Sequence, residues 1–322
     1  MKYKFTNIVE DASFRKFYRL ILNKKSKIIV IARKEKYKNL IAYTAVNKFL
    51  RQNYILSPKL YSYNLEKGII VIEDFGDQSF YKILLNQKKK LNTYVKLVDL
   101  LLKIQKIKVK SKINNIIGKS HVIEKYSVNN LHRESDLFFD WYLPLLFKKK
   151  KVLKIKKRVR KILSKIYKSL NFPNIHFVHR DFHVQNLMKV KKKIGVIDNQ
   201  DAIIGNPAYD LVSLVDDVRI KTSKKLKKQI YEYYLKKTSK TYRIQSDKFL
   251  HDFNVLSIQR NMKIIGIFSR LFIRDKKKRY MKLIPYTWKL LGMRMEAKFF
   301  SELKEILDQN IPLRLRKKIL IK

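Results

Sequence analysis

Cysteine is absent from the 322 residues, so disulfides, thiolate nucleophiles and Cys-ligated zinc are excluded, and a reducing compartment suits that count. Glycine is scarce, with seven residues at 68, 76, 118, 195, 205, 266 and 292. No two are spaced for a G-x-x-x-x-G-K-[ST] loop or a G-x-G-x-x-G fingerprint, which removes those two backbone cradles for phosphate. Long apolar runs are missing too. The most apolar stretch, Leu137–Phe147, is broken by Asp140 and Pro144 and falls short of the ~20 residues that a spanning helix needs. Met1–Val9 holds no apolar leader core, so the sequence predicts a cytoplasmic chain with no membrane span.

Acidic residues are also few, 26 Asp+Glu against 75 Lys+Arg, for a formal charge of +49. Such a field draws polyanions without specificity. The basic residues are spread over the whole chain, however, and 58 of them are Lys against 17 Arg. Lys behaves as a solvated point charge, whereas Arg is the residue of bidentate phosphate and base-edge recognition. Runs such as Lys148–Lys151, Lys191–Lys193 and Lys276–Arg279 therefore read as solvated faces or turns, and no specific nucleic-acid partner is expected. With 46% hydrophobic and 12% aromatic residues the chain can bury a sizeable core. Its length suits one large domain or two smaller ones.

The first third reads as strand-rich. Phe17–Leu22 and Lys27–Ala32 flank a polar turn, Tyr37–Gln52 carries apolar residues near helical spacing, and Lys59–Tyr63 and Gly68–Glu73 are two further strands. After Phe75–Gly76 helices dominate, marked by Leu91, Val95, Val98 and Leu102, by Val152–Leu170, by Phe249–Phe268 and, more weakly, by Trp288–Leu307. These textures divide the chain into a β-rich lobe, 1–76, and a mainly helical lobe, 77–322. The fold class is α+β, and a cleft between such lobes is a common place for a ligand. One strand-rich island interrupts the helices, with a strand at His176–Val178 and a hairpin of Leu187–Val190 and Ile194–Ile197.

That island carries the chemistry. His179-Arg180-Asp181-Phe182-His183-Val184-Gln185-Asn186 satisfies the H-R-D-x-x-x-x-N pattern of phosphoryl-transfer loops. An Asp on a loop can accept the proton of a substrate hydroxyl, and an Asn oxygen five residues later can ligate Mg²⁺. Mg²⁺ also needs a carboxylate. Antiparallel pairing would return Asp198 to the neighbourhood of Asn186, because one precedes the hairpin and the other follows it. With six His, 16 Asp and 20 Asn in the chain, a bare H-x-D-x(4)-N arises by chance only about 0.02 times. Asn206 and Pro207 then open a helix about eight residues after Asp198. No room remains for a protein-kinase activation loop, so the acceptor is expected to be a small molecule.

The stretch 177–217, together with Asp11-Ala12-Ser13-Phe14-Arg15, Ile72-Glu73-Asp74-Phe75-Gly76-Asp77 and Gln259-Arg260-Asn261-Met262-Lys263-Ile264-Ile265-Gly266-Ile267-Phe268, resembles the aminoglycoside phosphotransferase-like (APH/choline kinase) family. Within it, the Asp-x-Gln-Asp-Ala and Gln-Arg-x-x-Lys segments are similar to those of the bacterial N-acetylmuramate/N-acetylglucosamine kinases. The resemblance implies a bilobal protein-kinase-like fold, with a small β-rich N-lobe and a large, mainly helical C-lobe. It implies ATP and Mg²⁺ as cofactors and transfer to a hydroxyl of an amino sugar, at the anomeric position, in cell-wall sugar recycling. Asp181 would be the catalytic base and Asn186 and Asp198 the metal ligands, with His179 and Asp210 as structural support. Ser13, Arg33 and Glu73 would meet the nucleotide, the last through the backbone of the 73–76 hinge.

One departure stands out against the kinase pattern. A strand Lys paired to a helix Glu is expected, yet 37–52 contains no Glu, and Arg33 or Lys34 is the nearest basic residue to the strand end. For the acceptor, Arg260 could fork a sugar carboxylate, and Asp140 lies in a segment resembling the family's acidic-aromatic one. The rival expectations are a choline- or aminoglycoside-type kinase and a polyanion-binding pseudokinase.

Overall fold

In a computed structural model the described residues are 3–8, 15–23, 25–32, 36–118, 120–238, 240 and 245–317. Near the N-terminus, five antiparallel strands run β1 (Tyr3–Ile8), β2 (Lys16–Leu22), β3 (Lys25–Ile31), β4 (Leu60–Asn64) and β5 (Ile69–Glu73), in the spatial order β1-β2-β3-β5-β4. The central pair β3 and β5 alternates, so that Ile28, Val30, Ile70 and Ile72 turn to the buried face. Helix α1 (Lys36–Gln52) covers that face with Leu40 and Tyr43. β1 was not expected. As an edge strand it buries no full face, and its apolar residues, at 3, 5 and 8, break the alternation, so it sends no clear period-2 signal. Its Phe5 instead stacks on Tyr18 of β2, with ring centroids 4.8 Å apart.

By packing, the chain forms two units, 1–125 with 175–204, and 126–174 with 205–322. The boundary at 76/77 marks the change from strand to helix texture. The expected island thus packs with the sheet unit. Its hairpin pairs Leu187–Val190 with Lys193–Val196 in the register Leu187↔Val196 and Val190↔Lys193. Backbone bonds from Val196 N to Leu56 O, Lys189 N to Gln78 O and Tyr81 N to Val184 O tie it into this unit. Gly195 makes close packing possible. A Cβ there would lie 2.5 Å from the Phe75 ring, so only glycine lets Phe75 of the hinge lie against the hairpin.

The second unit is helical. Its axis is the 30-residue helix Ser246–Asp275, longer than the sequence pattern suggested and buried at every position from Val255 to Met262. A helix buried all round shows no amphipathic stripe, which explains why its ends were underestimated. The weak pattern at 288–307 resolves into two helices, Ile284–Arg294 and Ser301–Asn310. The helix expected after Gly205 runs Ala208–Val215, and the Asn206 Oδ1 accepts from Ala208 N at 2.9 Å. Lys149–Lys168 buries Val152, Ile155, Val159, Ile162 and Ile166 at helical spacing, so most of its basic residues lie on the outer face. At Gly266 a Cβ would fall 2.3 Å from the Leu137 carbonyl carbon. Gly266→Ala should therefore destabilise the protein by about 1–3 kcal/mol. A denaturant midpoint equal to wild type would remove this close approach as the reason for the glycine.

Candidate active site

The loop between His176–Val178 and the hairpin is built on main-chain bonds. The Asp181 carbonyl accepts from His183 N at 2.9 Å and from the Asn186 Nδ2 at 3.1 Å. Arg180 adopts φ +71°, a left-handed conformation uncommon for a residue with a side chain, and its Nη1 reaches the Asp201 carbonyl at 3.1 Å. His179 is fully buried and its Nε2 donates to the Ile197 carbonyl at 3.1 Å. Burial pushes the imidazole pKa down, against the pull of the Asp181 and Asp198 carboxylates. Burial thus favours the neutral ring.

Ile197 N donates to the Asn186 carbonyl at 3.0 Å, which brings Asp198 beside the end of the 179–186 loop. Asp198 also sits at positive φ, +63°. Its Oδ1 accepts from the Arg15 Nη2 at 3.0 Å and from the Gln200 Nε2 at 3.1 Å. The Gln200 Oε1 accepts from the Arg15 Nη1 at 3.0 Å, and its Nε2 also reaches the Asp201 Oδ2 at 3.1 Å. Among the described residues no hydrogen bond reaches the Asp198 Oδ2, nor the Oδ1 of Asn186, whose amide nitrogen is committed to the Asp181 carbonyl. A carboxylate oxygen and an amide oxygen are the hard donors that Mg²⁺ takes alongside phosphates and water. Asn199 adds polar capacity, since it is fully buried and neither amide atom has a hydrogen-bond partner among the described residues. The residues present fit a hard divalent cation.

The profile of the family described as "Phosphotransferase enzyme family" matches residues 4–244, three quarters of the chain. The chain belongs to that family. The N-acetylmuramate/N-acetylglucosamine kinase of Neisseria meningitidis serogroup B is 25% identical over 286 residues, 88% of this chain and 83% of that protein. The enzyme of the same name from Pseudomonas putida is 27% identical over 304 residues, 91% of this chain and 85% of its own. Among solved structures, an ethanolamine kinase of Plasmodium vivax matches with a TM-score of 0.63 at 12% identity, over 93% of this chain and 84% of that one. Spectinomycin phosphotransferase matches at 0.58 and 13% identity, over 97% and 93%. The fold is thus the bilobal kinase-like one, and the protein is a small-molecule kinase.

Within this phosphotransferase the remaining expected residues fall in several places. Ser13 and Arg33 lie outside the described residues. Glu73 ends β5, where its carboxylate accepts from Lys59 N at 3.0 Å and lies 3.9 Å from Arg51. Its side chain is engaged, and its own amide donates to the Lys59 carbonyl at 2.8 Å. Next to it, Arg19 grips Asp74 and Asp77 together, a clamp on the hinge that sequence reading missed. The two partners hold the guanidinium pKa well above its usual range. Asp210 is fully buried in the first turn of Ala208–Val215.

In the helical unit, Asp140 is exposed and paired to Lys156 at 2.7 Å. Arg260 is buried on the long helix, and its guanidinium has no hydrogen-bond or ion-pair partner among the described residues. Its motif neighbours are occupied internally. The Gln259 Nε2 donates to the Glu134 Oε2 at 3.0 Å and the Lys263 Nζ lies 3.2 Å from its Oε1. Arg15 and Gln200 were quoted within motifs but given no task. The only signal for them was adjacency to residues that had one. No described helix is long and apolar enough to cross a membrane.

Proposed function

We propose that the chain transfers the γ-phosphoryl group of ATP, with Mg²⁺, to a hydroxyl of an amino sugar, N-acetylmuramate or N-acetylglucosamine, at the anomeric carbon. The observation that carries this reading is the gathering of Asp198 and Asn186 at one end of a hairpin, beside the Asp181 loop, in a chain similar to kinases of those two sugars along most of its length. Asp181 accepts the hydroxyl proton as the acceptor oxygen bonds to phosphorus and the bond to the ADP oxygen breaks. Asn186 and Asp198 hold Mg²⁺, which when bound neutralises charge on the β- and γ-phosphates. His179 and Asp210 support the loop. The 73–76 backbone meets adenine, and Ser13 and Arg33 are assigned to phosphates from their place in the sequence. The lobes 1–76 and 77–322 divide nucleotide binding from catalysis and acceptor binding, and the setting is cytoplasmic.

Arg260 favours an acid-bearing sugar. A buried guanidinium without a carboxylate partner calls for an anion, and a planar fork suits a carboxylate. It argues equally against a polycationic aminoglycoside or a quaternary amine. Asp140, already paired to Lys156, is assigned to sugar hydroxyls from its place in the sequence. Incubation with Mg·ATP and, in turn, N-acetylmuramate, N-acetylglucosamine, choline and an aminoglycoside should yield a sugar 1-phosphate from the two amino sugars and no phosphorylated product from the other two. Arg260→Met should lower kcat/KM for N-acetylmuramate roughly tenfold or more, the loss of one charge-assisted contact, and leave N-acetylglucosamine nearly unaffected. Transfer to choline or an aminoglycoside alone would overturn the acceptor. An equal loss for both sugars would overturn the role of Arg260.

A further inference from the structure

Kinases place a cation from the N-terminal sheet beside the phosphates, ordinarily a strand lysine held by a helix glutamate. This chain supplies neither among its described residues. The two lysines of β3 are exposed: Lys25 at its start, and Lys27, whose ammonium lies 4.7 Å from the centroid of the Tyr61 ring. Helix α1 has no glutamate. What the sheet unit offers instead is Arg15, one residue before β2. Its side chain is 8% exposed, and its two terminal nitrogens end on Asp198 and Gln200, both at 3.0 Å. Asp198 has no other ion-pair partner among the described residues. From α1, Tyr43 lies buried close enough to feel both charges. Burial raises its phenol pKa, and the Arg15 guanidinium and Asp198 carboxylate act on it in opposite directions.

We infer that Arg15 is the sheet-borne cation of the phosphoryl-transfer site, fixing the Asp198 carboxylate by one oxygen and placing positive charge beside the phosphates. The inference rests on the reading of Asp198 as a metal ligand. The geometry gives Arg15 two tasks that a lysine could not combine. One nitrogen engages the Asp198 Oδ1 and leaves Oδ2 for the metal, while the other is anchored by Gln200, which restrains the fork. An ammonium is a point charge with rotatable donors and could touch both acceptors, but it lacks the rigid planar fork that sets the two contacts at a fixed separation and angle. The residue that replaces the ordinary Lys–Glu pair is thus held by the metal-binding segment itself.

The test uses the full chain and reads binding without an acceptor. Mg·ADP affinity is measured by calorimetry, and the Mg²⁺ concentration at half-saturation is measured at fixed nucleotide. Arg15→Met should weaken Mg·ADP roughly tenfold and raise the Mg²⁺ requirement, in line with loss of a charge-assisted bond. Arg15→Lys should recover nucleotide affinity more than it recovers the Mg²⁺ requirement, because it restores charge without the fork. A purely structural arginine would lower the unfolding midpoint and leave the Mg²⁺ requirement of the folded fraction unchanged. That result, or wild-type affinity in Arg15→Met, overturns the inference. Should Arg15→Met fail to fold, Arg15→Lys decides alone by its Mg²⁺ requirement. Wild-type protein that binds no Mg·ADP overturns the proposed function together with this inference, whereas Mg·ADP binding without sugar transfer overturns only the acceptor.

Discussion

Asp181→Asn is expected to lower kcat by about 10²–10⁴-fold, the usual contribution of a positioned general base, with Mg·ADP affinity near that of wild type. The structure makes this a clean substitution. The bonds that shape the loop, from His183 N and the Asn186 Nδ2, fall on the main-chain carbonyl of residue 181 and survive the change. His179 remains buried and bonded to the Ile197 carbonyl. Only the carboxylate is replaced, by an amide that cannot take a proton at neutral pH. Single-turnover kinetics with the sugar acceptor would show the loss in the chemical step. A variant with more than a tenth of wild-type turnover would mean that another group, or water alone, removes the proton.

Asp216→Asn should be among the most destabilising single substitutions in the helical unit, by about 3–5 kcal/mol. Asp216 is fully buried, and it accepts from the Arg294 Nε at 2.9 Å and Nη2 at 3.0 Å, the Lys227 Nζ at 3.1 Å and the Ser257 Oγ at 2.7 Å. Two cations thus face one carboxylate, and an amide would leave both without a counter-charge. Burial by itself raises the Asp216 carboxyl, but Arg294 and Lys227, with the Ser257 hydroxyl, outweigh it and hold the pKa well below the usual carboxylate range. A depressed folded-state pKa contributes stability that is fully present above the unfolded value of about 3.9 and is lost as pH falls toward the folded value. Urea unfolding of wild type and Asp216→Asn should therefore differ most at neutral pH, and the difference should shrink below about pH 4. A gap under about 0.5 kcal/mol at pH 7, the range of a surface substitution, would show that the cluster is not an energetic unit.

Both expectations concern residues of unequal visibility in the chain. Asp181 announces itself, because a loop motif sets the proposed base and one proposed metal ligand, Asn186, within eight consecutive positions and local spacing is what a sequence displays. Asp198 could be placed because a hairpin is a short-range object whose ends must meet. Asp216 stands in the stretch that resembles the family, yet its partners at 227, 257 and 294 lie 11, 41 and 78 positions away. No periodicity links them. The same holds for the Arg19 clamp on Asp74 and Asp77, 55 and 58 residues apart in sequence, and for Glu134 with Gln259 and Lys263.

The sequence by itself determined the strand-rich beginning and the helical remainder, the loop, the hairpin and the class of reaction, since each is written in contiguous residues or in alternation along one strand. Tertiary structure alone decided which polar residues became partners. β1 needed β2 beside it to be a strand at all, and the long helix needed neighbours on every side to be buried. Arg15 in the sequence is one of 75 basic residues; its position against Asp198 and Gln200 exists only once the sheet and the hairpin share a core. Charge is legible in a sequence as a sum, but what a charge does depends on the one opposite it, and folding chooses that partner.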